Sequence, residues 1–218
     1  MPTFTGIFPG PFKKDKDLQQ ILRKWQQLMK ELVEEWADDG DAPWWYNERT
    51  SVGFFAAAVW KKGGHAIEEY TTNKKFRTNR GKTNNKHGRG DLLFYLNSNK
   101  AFVAEAKNEY LSLNRSPDKK VISLLKIARK DAVRVPNYGI ARRLGMVFMV
   151  PYSKSKPTDT DKRIREWINW VKVRSEQQKI TAAWTFPSVA REIRGKEPDG
   201  TRYYYPGVIL LLKQLKES

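Results

Sequence analysis

The sequence predicts an α/β protein with a mixed central β-sheet flanked by helices and one extra helix at its N-terminal end. Three observations predict it. Three stretches carry apolar residues at the i, i+3, i+4, i+7 spacing of a helix with one buried face, and a fourth, from Asn47 to Lys62, reads as a helix stopped by two glycines. Between them lie short runs that alternate in polarity or are continuously apolar, as strands do. The resulting order, α, α, β, β, β, α, β, α, β, β, interleaves the two element types, as layered helix-and-sheet proteins do. The 218 residues contain no internal repeat and suit one domain. Within it we read an N-terminal arm and helix over 1–43, a core over 47–150, and a C-terminal helix and strands over 151–218 that complete the sheet.

Each element follows from local chemistry. Residues 1–14 hold Pro2, Pro9, Pro11 and two glycines, and read as an irregular arm. A helix is expected from about Asp17, where Gln20 three residues on resembles a capping box. Its buried face is Leu18, Ile21, Leu22, Trp25, Leu28, Met29, Leu32, Val33 and Trp36. The polar run from Asp38 to Pro43 ends it. A second helix is expected from Asn47 to Lys62, stopped by Gly63-Gly64. Ala66 to Lys74 reads as a strand, with Ile67, Glu69 and Thr71 on one face and Glu68, Tyr70 and Thr72 on the other. From Asn73 to Gly90 almost nothing is apolar except Phe76, so this stretch reads as a long mobile loop of the kind that carries function. Asp91–Leu96 and Lys100–Glu109 read as a hairpin turned by Asn97-Ser98-Asn99. Ser116 as cap and Pro117 at the first position open a helix whose apolar face is Val121, Leu124, Leu125, Ala128 and Ala132. Gly145 to Val150 is a buried strand and Pro151 to Pro157 a loop. Thr160 or Asp161 starts a helix with Ile164, Trp167, Ile168 and Val171 inward. Thr181–Phe186 and Val208–Leu212 are the last strands.

Composition narrows the function. The chain holds 41 lysines and arginines against 24 aspartates and glutamates, a net charge of +17. A surplus of that size concentrates a polyanion, and nucleic acid is the polyanion it points to; an enzyme of small anionic metabolites needs no such excess. Ten phenylalanines, nine tyrosines and eight tryptophans argue for a packed core and not for a disordered basic tail. With no cysteine, disulfides, thiolate zinc sites and cysteine nucleophiles are excluded. No apolar run approaches the ~20 residues of a membrane span. The first residues lack the basic-then-apolar pattern of a secretory signal, so a cytoplasmic location is expected. His65 and His87 are too few for a histidine-rich metal site. Gly81-Lys82-Thr83 echoes the end of a phosphate-binding loop, but Phe76 stands where that loop needs glycine.

Chemistry concentrates where charges interrupt otherwise apolar strands. Asp91 follows Gly88-Arg89-Gly90 and precedes Leu92-Leu93, and Glu105 and Lys107 end the run that starts at Lys100. A three-residue turn pairs Leu96 with Lys100, hence Leu93 with Val103 and Asp91 with Glu105, with facing Cβ atoms roughly 5 Å apart. Glu105 and Lys107 share a face because strand side chains alternate. Two facing carboxylates repel, and burying them is costly unless a cation is shared. A divalent metal, Mg²⁺ or alternatively Mn²⁺, supplies that cation, polarises a phosphoryl oxygen and makes hydroxide from water. On this reading Asp91 and Glu105 are metal ligands and the Ala106 carbonyl is a further candidate ligand. Lys107 then orients or deprotonates the attacking water, or stabilises charge on the phosphate. A cross-strand ion cluster, with Lys107 and an arginine neutralising the two carboxylates, explains the same spacing.

Asp91, a gap of thirteen residues and Glu105-Ala106-Lys107, together with the Arg-Gly-Asp-Leu-Leu run, resemble the PD-(D/E)XK nuclease superfamily. That superfamily includes many restriction endonucleases, Holliday-junction resolvases and repair nucleases. The order helix, three strands, helix, strand over about 47–150 fits it, while Gly90 stands where the motif has proline. The resemblance implies a restriction-endonuclease-like core and Mg²⁺-dependent phosphodiester hydrolysis, with Asp91 and Glu105 as ligands and Lys107 as the catalytic lysine. It also implies an acidic residue on the helix before the first strand. Glu48 is the candidate, although a helix start favours a carboxylate through the dipole alone, and Glu68 and Glu69 are its rivals. The expected activity is a DNA endonuclease of restriction or phage-defence type. The alternatives are a junction-resolving or repair nuclease and a catalytically silent nucleic-acid-binding module. A cutter of palindromic duplex would be a two-fold homodimer.

The charge surplus is also localised. Residues 61–90 hold nine lysines and arginines against Glu68 and Glu69, and 119–143 hold eight against Asp131, whereas 13–41 hold six against eight acidic residues. Lys74, Lys75, Arg77, Arg80, Lys82, Lys86 and Arg89 in the first segment are expected to meet a phosphate backbone, as are Lys126 and Lys130 in the second. A solvated helix face explains the last two equally well. Tyr203-Tyr204-Tyr205 is read as packing before a strand more than as a base-stacking platform.

Overall fold

The computed structural model describes residues 2–77, 83–96, 100–136, 142–154, 159–196 and 200–215. The chain runs β1 (Phe4–Phe8), α1 (Lys16–Glu35), α2 (Glu48–Lys61), β2 (His65–Arg77), β3 (Thr83–Tyr95), β4 (Ala101–Ser112) and α3 (Asp118–Arg134). It continues through β5 (Arg142–Tyr152), α4 (Thr160–Gln178), β6 (Thr181–Phe186), β7 (Arg194–Lys196), β8 (Arg202–Tyr204) and β9 (Val208–Gln214). Seven strands form one mixed sheet in the order β1-β6-β9-β5-β4-β3-β2, and β7 and β8 pair separately. Within the seven, β4 and β5 are the parallel pair and the other ladders are antiparallel. A parallel pair needs a crossover, and α3 supplies it. The α/β architecture with a mixed, helix-flanked sheet is therefore as the sequence predicts. Among the described residues no helix is long and apolar enough to cross a membrane.

Strand alternation splits the core into two layers. On one face Phe94, Phe102, Met146, Phe148 and Leu210 pack under α1 and α2, which contribute Leu22, Trp25 and Phe55. On the other, Val147, Met149, Ile209 and Leu211 meet Val121 and Leu125 of α3 and Ile164 and Val171 of α4. Neighbouring residues of β5 and β9 thus serve opposite layers, which is why both read as unbroken apolar runs.

Several boundaries differ from the sequence expectation for physical reasons. The arm at 1–14 is not irregular throughout: Phe4–Phe8 forms an edge strand on β6, with Gly6 lying against Trp184, whose ring a Cβ at this position would meet at 2.5 Å. Asp15, not Asp17, caps α1, its Oδ1 accepting from the Leu18 amide at 3.2 Å while Lys100 pairs with its Oδ2 at 3.0 Å. Pro117 occupies the cap position of α3 with no side-chain bond, so Ser116 is not its cap. The second helix begins as expected, Asn47 capping it through the Thr50 amide at 3.1 Å. The short strands β7 and β8 were not foreseen, and Ser153, expected in a loop, bridges to Tyr204. The three tyrosines do pack: Tyr205 lies edge-on to Trp45 at 5.6 Å and Tyr203 to Tyr152 at 5.3 Å.

The largest correction is the segment expected to be a mobile loop. β2 and β3 continue pairing from His65↔Tyr95 out to Arg77↔Thr83, so Asn73–Arg77 and Thr83–Gly90 are strand. β4 accompanies β3 only from Tyr95↔Ala101 to Leu92↔Ala104. Beyond that point the two strands form an arm paired only with each other. Most of its described side chains are exposed, so it carries no apolar alternation to betray it.

Candidate active site

The site forms where β3 leaves β4. One rung past Leu92↔Ala104, Asp91 and Glu105 stand opposite each other, the register that turn counting gives, but the ladder stops before them. Two β4 amides beyond the fork find carboxylates in place of a strand. The Ala106 N–H donates to Asp91 Oδ2 at 2.7 Å, and the Asn108 N–H donates to Glu48 Oε2 at 3.1 Å. An amide left unpaired there would cost the free energy of a lost hydrogen bond, so the fork itself selects oxygen acceptors at 91 and 48. Glu48 reaches it from the first position of α2, which Asn47 fixes by capping.

A backbone anomaly completes the arrangement. Glu69 has φ +49°, uncommon for a residue with a side chain. In the β2–β3 ladder Glu68 pairs with Leu92 and Tyr70 with Gly90, leaving Glu69 and Asp91 opposed but unpaired. Strict alternation is lost. Glu68 and Glu69 both line the cleft shared with Glu48, Arg49, Val52 and Asp91, while Tyr70 packs on the opposite layer against Ala101, Val103 and Val135. The expected division of β2 faces therefore fails at Glu69. Glu69 is held by Arg49 at 3.2 Å and Arg89 at 3.6 Å.

The electrostatics are those of crowded, half-dry carboxylates. Glu105 is 2% exposed. Burial above all, with the charge of Asp91 second, pushes its carboxyl up to about 7, against the pull of Lys74 and Lys107. The Glu48 carboxyl is also raised, by burial first; the charge of Lys107 opposes this, Asp91 adds to it, and the Asn108 amide opposes it. Glu68 is raised by burial and by Glu69.

The two lysines near the site do not sit as the sequence suggested. Lys74 bonds Glu105 Oε2 at 2.8 Å and lies 2.8 Å from Oε1. Lys107 donates to the Ala106 carbonyl at 2.5 Å and lies 3.7 Å from Asp131 Oδ2 of α3. The cation directly on Glu105 thus comes from β2, and the Ala106 carbonyl holds an ammonium. Lys74, expected to face nucleic acid, is an internal partner in this state. Lys75, Lys86 and Arg89 are exposed on the arm, and Lys126 and Lys130 are exposed on α3. Arg77 ends β2, while Arg80 and Lys82 lie outside the described residues.

Sequence reasoning missed Asp131 and the role of Lys74. No sequence signal marks the seat of Lys74. A Cβ at Gly90 would meet the Tyr70 ring at 2.4 Å, so Gly90 lets that ring lie across β3, whereas one at Gly88 would lie 3.6 Å from Lys74 Cδ, an ordinary contact.

Among the described residues no three histidine, aspartate or glutamate side chains are gathered closely enough to form a ready metal cluster. The donor set nevertheless suits a hard divalent cation: the carboxylate of Asp91, whose charge raises the cost of ionising Glu105, a backbone carbonyl at Ala106, and a buried Glu105 already compensated by a positive charge. The chain matches no protein-family model, no curated protein and no solved structure.

Proposed function

We propose that the chain is a Mg²⁺-dependent, cytoplasmic DNA endonuclease of the PD-(D/E)XK type, acting in restriction or phage defence. The observation that carries this reading is the facing pair Asp91 and Glu105 at the fork of β3 and β4, with Glu48 bonded to β4 beside them, in a chain of net charge +17. A protein that only binds phosphate gains nothing from a pair of carboxylates facing it. The order α2–β2–β3–β4–α3–β5, with β5 parallel to β4, supports a restriction-endonuclease-like core because it is the order the motif resemblance implies. The exposed cations Lys75, Lys86 and Arg89 flank the fork and suit a phosphate backbone.

Asp91 and Glu105, with the Ala106 carbonyl, would hold Mg²⁺ or Mn²⁺, which when bound polarises a phosphoryl oxygen and acidifies a water. Lys107 is a quarter exposed beside them and is the cation available to orient that water or to meet negative charge developing on the phosphate. Glu48 anchors Asn108, which fixes the path of β4 through the site. Asp131 restrains Lys107 from α3.

The test is cleavage of supercoiled plasmid with and without Mg²⁺, by the wild type, Asp91→Ala and Lys107→Ala. Nicked or linear product is expected only with the metal, each substitution lowering the rate by about 10²-fold or more. Cleavage that persists in chelator, or survives both substitutions, overturns the reading. The engagement of Lys74 with Glu105 and of Lys107 with Asp131 favours one alternative, a silent nucleic-acid-binding module. That module predicts duplex binding with no cleavage under any divalent ion. A four-way junction cut in preference to linear duplex would instead mark a junction-resolving or repair enzyme. A palindromic double-strand cutter needs a two-fold homodimer, which sedimentation reads directly.

A further inference from the structure

Lys74 and Glu105 belong to strands that do not pair with each other. Lys74 is on β2 and Glu105 on β4, with β3 between them. The ammonium nevertheless straddles the carboxylate, 2.8 Å from each oxygen, with 16% of the lysine side chain and 3% of the glutamate side chain exposed. One feature of the chain makes this reach available: the left-handed Glu69 breaks the alternation that would otherwise assign the β2 faces. Lys107 is held elsewhere, by the Ala106 carbonyl and Asp131.

We propose that Lys74 is an internal stand-in for the divalent cation, and that it must leave Glu105 before a metal can load. The proposal rests on the nuclease reading. Its physical basis is exclusion: Lys74 donates to Oε2 and stands 2.8 Å from Oε1, which has no hydrogen-bond partner, and a divalent cation cannot reach this nearly dry carboxylate while the ammonium occupies that place. Lys74 sits on the part of β2 beyond Tyr70, where the arm pairs only with itself, so it can move without disturbing the ladder of β3 with β4. Phosphates of a bound duplex offer the ammonium another partner. Nucleic acid and metal are then positively coupled through one lysine, and the reciprocity of linkage makes each tighten the other. Metal loading is held back until substrate arrives.

The test is calorimetric titration of the full chain with Mg²⁺ alone, with every variant in the same buffer across a series of pH values. Lys74→Met is expected to bind Mg²⁺ about tenfold or more tightly than the wild type, because its competing ammonium is gone. Lys74→Arg keeps a cation there and is expected to bind as weakly as the wild type. A merely structural lysine would lower the melting temperature of Lys74→Met without tightening Mg²⁺, and that result overturns the proposal while leaving the plasmid assay to judge the nuclease reading. Absence of Mg²⁺ binding in all three proteins, with no plasmid cleavage, overturns both. Should Lys74→Met fail to fold, Lys74→Gln carries the same comparison.

Discussion

Glu105 keeps an ionisable carboxyl in a nearly dry place, and that choice has a cost that can be measured. The native group holds its proton up to about pH 7, where the ordinary value is 4.5. Between those values the folded state binds more protons than the unfolded state, so stability falls as pH rises. The contribution is complete below 4.5 and gone once pH has passed about 7. Glu48 and Glu68, also raised by burial, act in the same direction. In metal-free buffer, denaturant melts across this range should show the wild type losing on the order of 3 kcal/mol relative to Glu105→Gln. Parallel pH profiles for the two proteins would show that Glu105 is not the group responsible. At this scale the sequence was partly legible. The opposition of Asp91 and Glu105 follows from a turn length and a period of two, both local rules. The seat of Lys74 on Glu105 does not, because it depends on a single left-handed residue, Glu69, and nothing about glutamate advertises that backbone.

The arm of β2 and β3 shows why an element can hide in its own sequence. Strands are legible when one face is buried, and here Lys75, Asn84, Lys86, His87 and Arg89 are all exposed. The polar run read as a loop because its pairing lies in the backbone and not in its side chains. β1 escaped for a related reason: five residues between proline-rich flanks become a strand only because β6 is there to pair with them. The bounds of α1 and α2 were legible to within a few residues, α1 from its 3.6-residue stripe, although its cap is Asp15 and not Asp17, and α2 from the Gly63-Gly64 that stops it. A two-stranded ribbon of cations is a shape that follows a duplex groove. Lys75→Ala and Lys86→Ala should each weaken duplex binding similarly across sequences and reduce the slope of log affinity against log salt by about one. Arg89→Ala should do less, because Glu69 already engages that guanidinium. Fluorescence anisotropy at several salt concentrations reads both quantities, and unchanged slopes would remove the arm from the interface.

At the scale of the whole molecule, the first residues are tied to the C-terminal third. Arg191, 2% exposed, donates to the carbonyls of Pro2, Phe186 and Pro187 and pairs with Asp161 at 3.0 Å. Arg191→Met removes every one of those bonds and leaves Asp161 without its buried partner. The expected loss is about 3 kcal/mol or more by denaturant unfolding, and a change under about 1 kcal/mol would show the cluster to be dispensable. The sheet order has another consequence. β9 lies between β6 and β5, and β1 waits on β6. A chain emerging from the ribosome has β2 to β5, and so all of the candidate site, long before Val208–Gln214 appears. Until then Met146–Met149 of β5 presents a bare, wholly apolar rim to whatever else is in the cell. The nascent protein therefore passes through a stage in which its chemistry is assembled but its sheet is open, and that stage is where chaperone dependence and aggregation during synthesis should concentrate.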